Sequence, residues 1–334
     1  MPAPPYADRL SLPAIAAPMF LVSGPRLVIE SCRRGVVGTF PALNQRTTEG
    51  FAEWLVEIRE ALAAVEDEVA EDDASSSAAR PPAPYGVNLI VHRSNPRLEA
   101  DLAVVVEHQV PLVITSLGAV SELVDAVHSY GGLVYHDVTN RRHAEKAAAA
   151  GVDGLICVAA GAGGHAGTLN PMPFLAEMRS FFDGTLILSG CISTGGDIAS
   201  ALQMGADIAY LGTRFIAVEE SRADDAYRQM IVDSGTADIV YTAAVSGVPA
   251  SFLRPSLEAM GITQEMWSRA AKIDFGKELD AAEAEAKAWK TVWSAGQGVT
   301  TIHDVPSVAE LVERLGVEFR SALAEQAARL DRWS

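Results

Sequence analysis

Eight short apolar runs recur along the chain: PAIAAP (13–18), GVVGTF (35–40), YGVNLIV (85–91), PLVITS (111–116), GLVYHDV (132–138), GLICVAA (154–160), TLILSG (185–190) and IAYLGT (208–213). Between them apolar residues return at three- and four-residue spacing, as at Leu98, Leu102, Val105 and Val106, then Leu123, Val124 and Val127, then Ile198, Leu202 and Met204. Strand-length runs separated by helical periodicity imply a parallel sheet with helices outside it. Eight such units predict an α/β fold of the (β/α)8 TIM barrel type, in preference to an open doubly wound sheet with the same local pattern. The loops leaving the C-terminal strand ends of a barrel form its active face.

The barrel is expected to span residues 1–218 and to be closed by a last helix at 305–332. Residues 219–304 then form a helical subdomain inserted after strand eight, since ELDAAEAEAKAWKTVW has helical composition around the interruption VSGVPASFLRPSL. The stretch EDEVAEDDASSSAARPPAP (66–84) is acidic and then Ser/Ala/Pro-rich, and it reads as a mobile surface insertion after the second helix.

With 334 residues, 49% of them hydrophobic, the chain can bury a large core, and its net charge of −17 disfavours nucleic acid as a partner. Cys32, Cys157 and Cys191 form no CxxC pair, so neither a disulfide framework nor a zinc site is expected, and no Asp/Glu/His cluster has metal-ligand spacing. The N-terminus lacks a signal-peptide pattern and no apolar run has membrane-spanning length, which predicts a cytoplasmic protein without membrane association.

At the predicted mouth stand Pro18 and Met19, Phe40 and Pro41, Asn88, Ser116 and Gly118, His136 and Asp137, the 159–167 loop, Ser189 to Ile192, and Gly212 with Thr213. Loops after the seventh and eighth strands of such barrels often bind phosphate through backbone N–H groups and a short helix. SGCISTGGDI and LGTRF carry the small residues this needs, so a phosphate-bearing cofactor is the direct inference. The other conspicuous segment is AAGAGGHAGTLNP (159–171), where Gly161, Gly163, Gly164 and Gly167 surround His165. Glycine costs roughly 0.5–1 kcal/mol relative to alanine in regular structure, so this density marks a loop that something approaches closely. Gly161, Gly163 and Ala166 also satisfy G-x-G-x-x-A, but they follow the sixth run instead of opening a helix after the first strand, as a dinucleotide fingerprint would.

IAAPMF, VNLIV, AGAGGHAG, SGCI and LGTRF, in this order, resemble the nitronate monooxygenase family over roughly residues 10–256, and SAGQG (294–298) resembles its C-terminal element. The resemblance implies a barrel carrying FMN. Ala17, Pro18 and Met19 would lie along the isoalloxazine ring and Asn88 would bond its polar edge, with Ser116, Gly163, Gly164 and Ser189 beside the cofactor. Gly190, Cys191, Gly212 and Thr213 would hold the phosphate, with Gln297 reaching the cofactor. Cys191 stands where the family usually has a second glycine. His165 would face the substrate, as an anchor or general base for an alkyl nitronate or nitroalkane oxidised by O2, with Met19 and Phe40 shielding the mouth. The same motifs are shared with flavin-type enoyl-ACP reductases. An NAD(P)H-dependent FMN reductase acting on an enoyl thioester or quinone is therefore the alternative, and a phosphate-ligand barrel without redox chemistry a remoter one. A homodimer is compatible with either enzyme. His136 is open between contacting the flavin and supporting a neighbour.

Overall fold

The computed structural model describes residues 4–72, 80–92, 94–245, 247–268, 292–330 and 332–333. Eight parallel strands form a closed barrel: β1 (Ala14–Ala16), β2 (Val37–Pro41), β3 (Gly86–Ile90), β4 (Leu112–Ser116), β5 (Leu133–Val138), β6 (Gly154–Val158), β8 (Thr185–Ser189) and β9 (Ile208–Leu211). They pair in sequence order, and β9 pairs with β1 to complete the ring. The two-residue strand β7 (Gly164–His165) lies outside it.

Outside the strands run α1 (Pro25–Arg33), α2 (Thr48–Asp72), α3 (Leu98–Glu107), α4 (Ser121–His128), α5 (Arg141–Ala149), α6 (Pro171–Arg179) and α7 (Gly195–Gln203). After β9 the short α8 (Thr213–Ile216) precedes the inserted segment, and the last barrel helix is α12 (Val308–Leu330). That helix docks on α7, where the Gly195 N–H donates to Glu318 Oε2 at 2.7 Å.

Alternation along the strands divides the core. Ile15, Val37, Ile114, Tyr135, Ile156, Ile187, Ile208 and Tyr210 fill the barrel interior. Val87, Val113, Val134, Leu155, Leu186 and Ala209 face outward onto helix residues such as Phe51, Val105, Val127, Phe174 and Leu311. Both faces of most strands are therefore largely apolar, as a parallel sheet covered by helices requires. Tyr6 joins the inner cluster, its hydroxyl 2.8 Å from that of Tyr135.

Two expectations need correction. The stretch read as a surface insertion begins inside α2, which continues to Asp72, and its far end is packed: Ala83 is buried and its N–H donates to Cys32 O at 2.9 Å. Residues 73–79 lie outside the described residues. The inserted segment is not purely helical. Besides α9 (Asp225–Asp233), α10 (Arg254–Ala259) and α11 (Gln264–Ser268) it holds the antiparallel strands β10 (Ile239–Thr242) and β11 (Ala250–Leu253). IVYT is a β-branched and aromatic run and ASFL a mostly apolar one, Gly247 and Pro249 lie between them, and β7 supplies a third strand to β11. Of the Ala/Glu-rich segment, residues 278–291 lie outside the described residues. Among the described residues no helix is long and apolar enough to cross a membrane.

Candidate active site at the barrel mouth

Asn88, Ser116 and Asp137 sit at the C-terminal ends of three consecutive strands, on the face that points into the barrel. Their strand neighbours Val87, Leu89, Val113, Val134 and Val138 all belong to the outer core. Asn88 Nδ2 donates to Ser116 Oγ at 2.8 Å and to Ile114 O at 3.3 Å. Ser116 Oγ in turn donates to Asp137 Oδ2 at 2.5 Å. The polarity of this chain follows from Ile114: a backbone carbonyl only accepts, so the amide atom beside it must be nitrogen. Burial pushes the Asp137 carboxyl up to about 6, against the opposing hydrogen bond from Ser116.

His136, one residue earlier, points the other way. It is buried behind the barrel wall with Nδ1 2.7 Å from Thr115 Oγ1, and burial lowers its pKa to about 4. Of its two expected alternatives, support of a neighbour is the one realised. Phe40 is likewise no mouth residue: fully buried, it faces α2, with ring centroids 6.0 Å from Phe51 and 5.7 Å from Trp54. The phase of the β2 pleat turns it away from the lumen.

Ala17 is buried against the inner core, and Pro18 and Met19 are half-buried on the rim. The loop that carries them is held by Asn44, which the sequence reading missed. Its Oδ1 accepts from the Leu21 N–H at 2.8 Å, and its Nδ2 donates to Met19 O at 3.0 Å and Ser23 O at 2.7 Å. Leu21, at φ 62°, needs such a clamp.

The expected phosphate residues converge. Gly190 has φ 124° and Cys191 φ 60°, so this chain keeps a left-handed turn with a side chain in place of the usual glycine, at a cost of roughly 1–2 kcal/mol. Thr213 Oγ1 accepts from the Gly296 N–H at 2.9 Å, and the Gln297 N–H donates to Gly161 O at 2.8 Å. The 294–298 segment thus ties the β9 loop to the glycine-rich loop, reaching Thr213 from 83 residues away. Ser189 is half-buried on the inner face, beside this junction. The N-terminus of α7 is already capped: Asp197 Oδ2 accepts from the Ser193 and Thr194 N–H groups at 3.0 and 2.9 Å, and Thr194 Oγ1 accepts from the Asp197 N–H at 3.1 Å.

The glycine run has a structural cause. A Cβ at Gly163 would lie 2.8 Å from Gly296 N, and one at Gly161 would overlap Cys191 Sγ. The close approach is therefore made by the protein's own 295–297 backbone. His165, exposed on β7, is opposite Ala250 of β11, with Gly164 opposite Ser251. Tyr241 of β10 donates its hydroxyl to Ala166 O at 3.0 Å. The histidine is thus carried on a three-stranded sheet rather than on a free loop. Among the described residues no group of three or more His, Cys, Asp or Glu is placed to hold a metal ion.

A closed parallel barrel with a polar chain, a small-residue cradle and a braced histidine at its C-terminal mouth defines a (β/α)8 barrel oxidoreductase when set beside known proteins. The nitronate monooxygenase family model matches residues 9–318, and the chain belongs to that family. It is 29% identical over 94% of its length to a nitronate monooxygenase of Paraburkholderia phytofirmans, covering 93% of that protein. It is 24% identical over 73% of its length to a hydroxy-methyl-oxo-octahydroindene-carboxyl-CoA dehydrogenase of Rhodococcus jostii, covering 63% of it. The solved nitroalkane oxidase of Streptomyces ansochromogenes superposes with a TM-score of 0.76 at 26% identity, over 96% of this chain and 99% of that one.

Proposed function

We propose that this protein uses FMN to oxidise alkyl nitronates, or nitroalkanes after deprotonation, with molecular oxygen. The observation that carries the reading is the convergence, at one barrel mouth of a nitronate monooxygenase family member, of the Asn88 acceptor, the cradle tied by Gly296 and Gln297, and exposed His165.

The residues present fit such a cofactor. A Cβ at Gly212 would touch only the Ala17 Cβ, at 3.8 Å, so the space over that backbone is open. Ser193 Oγ is buried without a hydrogen-bond partner among the described residues, next to Gly298 in the same cradle. Backbone N–H groups of Gly190, Cys191, Gly212 and Thr213 would take the phosphate, flanked by Ser189 and Gln297. Ala17, Pro18 and Met19 would line the ring, and Asn88 its polar edge with Ser116 behind it. Gly163 and Gly164 would pass beside it. Bound there, the flavin supplies the electron transfer between an electron-rich nitronate and O2.

His165 donates a hydrogen bond to a nitronate oxygen and holds the anion at the mouth. With a neutral nitroalkane the same imidazole takes the α-proton at a ring nitrogen as general base. The half-buried Met19 keeps water from the rim. A second reading, an NAD(P)H-dependent FMN reductase acting on an enoyl thioester or quinone, draws support from the Rhodococcus relative, whose name specifies an acyl-CoA substrate.

Anaerobic mixing with an alkyl nitronate, NADH or NADPH, followed by flavin absorbance, separates the two. Bleaching by the nitronate is expected, and bleaching by NAD(P)H alone would overturn the leading reading. Mass identification of the heat-released cofactor checks the cradle, with FMN expected and FAD excluding it.

A further inference from the structure

Asp137 has no part in the reading above, yet it ends a directed hydrogen-bond chain that reaches the mouth. We propose that it is a positioning residue for the flavin: its carboxylate accepts the hydrogen bond of the Ser116 hydroxyl, which makes Ser116 accept from Asn88 and holds Asn88 with Oδ1 turned toward the ligand, as an acceptor for a ring N–H. The inference rests on the FMN reading.

Each link is set by the one before it. Ile114 O fixes which end of the amide is nitrogen, so both Nδ2 hydrogens are used inside the protein, on Ile114 O and Ser116 Oγ. The hydroxyl that accepts from Asn88 must point its own O–H elsewhere, and Asp137 Oδ2 at 2.5 Å accepts that hydrogen bond. A protonated Asp137 can donate to Ser116 instead. Ser116 is then released to donate to the amide, and flipping the amide to accept that bond would place its oxygen against Ile114 O.

Few groups compete for Asp137. Across the lumen β9 presents Tyr210, whose hydroxyl burial keeps protonated, while β6 presents the apolar Ile156 and Val158. From β4 comes Ser116, and on β5 itself His136 lies on the far side of the wall with Thr115. Because burial raises this carboxyl, its proton returns within a pH range the protein can be studied in.

The test is FMN affinity, measured by quenching of flavin fluorescence on the apoprotein from pH 5 to 8, with circular dichroism as the folding control. Removing one net hydrogen bond is typically worth about fivefold, so Asp137→Ala and Ser116→Ala should each weaken FMN by about that factor at pH 7.5. The double variant should be no weaker than Ser116→Ala alone. Asp137→Asn can still accept from Ser116, so it should bind like the wild type at pH 7.5 but lose less affinity on acidification. The FMN phosphate also titrates near pH 6. Its contribution is common to all variants, so the difference between curves reports Asp137. Wild-type binding with superimposable curves for Asp137→Ala and Asp137→Asn would overturn this inference alone. A wild-type protein that quenches no FMN would overturn the cofactor reading and this inference with it.

Discussion

His136 and Asp137 are adjacent on β5 and face opposite sides of the barrel wall, one paired with Thr115 at 2.7 Å and the other with Ser116 at 2.5 Å. Burial disfavours the charged form of both, and since one is a base and the other an acid the consequences for stability run in opposite directions with pH.

For His136 the folded pKa lies near 4, below the usual 6.5. Its contribution to stability is complete above 6.5 and is lost as the pH falls toward 4, where the unfolded chain binds a proton that the folded one refuses. The span corresponds to at most roughly 3 kcal/mol. Urea midpoints at pH 7.5, 5 and 4 should therefore fall less steeply for His136→Gln, which can still bond Thr115, than for the wild type. Equal slopes would mean that His136 charges within the fold.

For Asp137 the sign reverses. Its folded pKa of about 6 exceeds the usual 3.8, so the buried charge opposes folding above pH 6 and this penalty is relieved as the pH falls from 6 toward 3.8. Asp137→Asn should flatten that acid-side gain, leaving a smaller rise in melting temperature between pH 7.5 and 5 than in the wild type. A larger rise would contradict the assigned direction.

Gly161 has φ 84°, and a Cβ there overlaps Cys191 Sγ. Gly161→Ala should cost about 1–2 kcal/mol from the backbone alone, seen as a lower denaturation midpoint, with additional loss from the overlap. Adding Cys191→Gly should recover the overlap component. No recovery in the double variant would show that the two loops can separate freely.

Gly195→Ala should weaken the seam between α7 and α12, since its Cβ would meet the Leu315 carbonyl. Overpacking of this kind typically costs about 1–3 kcal/mol. Thermal denaturation of the purified variant checks this, with an unchanged midpoint counting against close docking of the last helix.

His165→Ala should retain FMN, because the cradle residues lie elsewhere, and should lose turnover. General base catalysis is typically worth about 10²–10⁴-fold, and a hydrogen bond to a charged group about 1.5–3 kcal/mol. If the imidazole is the base, a neutral nitroalkane should suffer far more than its preformed nitronate; an anchor should affect both alike. Steady-state kinetics on both forms, with flavin content measured in parallel, distinguishes the roles, and wild-type rates on both would remove His165 from the site.

The alternation of short apolar runs with helical spacing gave, without coordinates, eight strand–helix units and a preference for a barrel over an open sheet, and the small residues of SGCI and LGTRF marked the loops at its mouth. Those are local properties: strand length, helical period and turn chemistry are written in neighbouring residues. The orientation of each strand was not. In LVYHDV both faces are covered, one by the barrel interior and one by helices, so no polar-apolar alternation tells which of His136 and Asp137 looks inward. The same ambiguity concealed Phe40 behind the wall. The supports of the site were equally invisible: Asn44 under the Met19 loop, Gly296 on Thr213, and β11 beside His165. These contacts join residues 25 to more than 80 positions apart, and only closure of the ring, which sets strand register and brings the inserted segment over the mouth, decides that they meet.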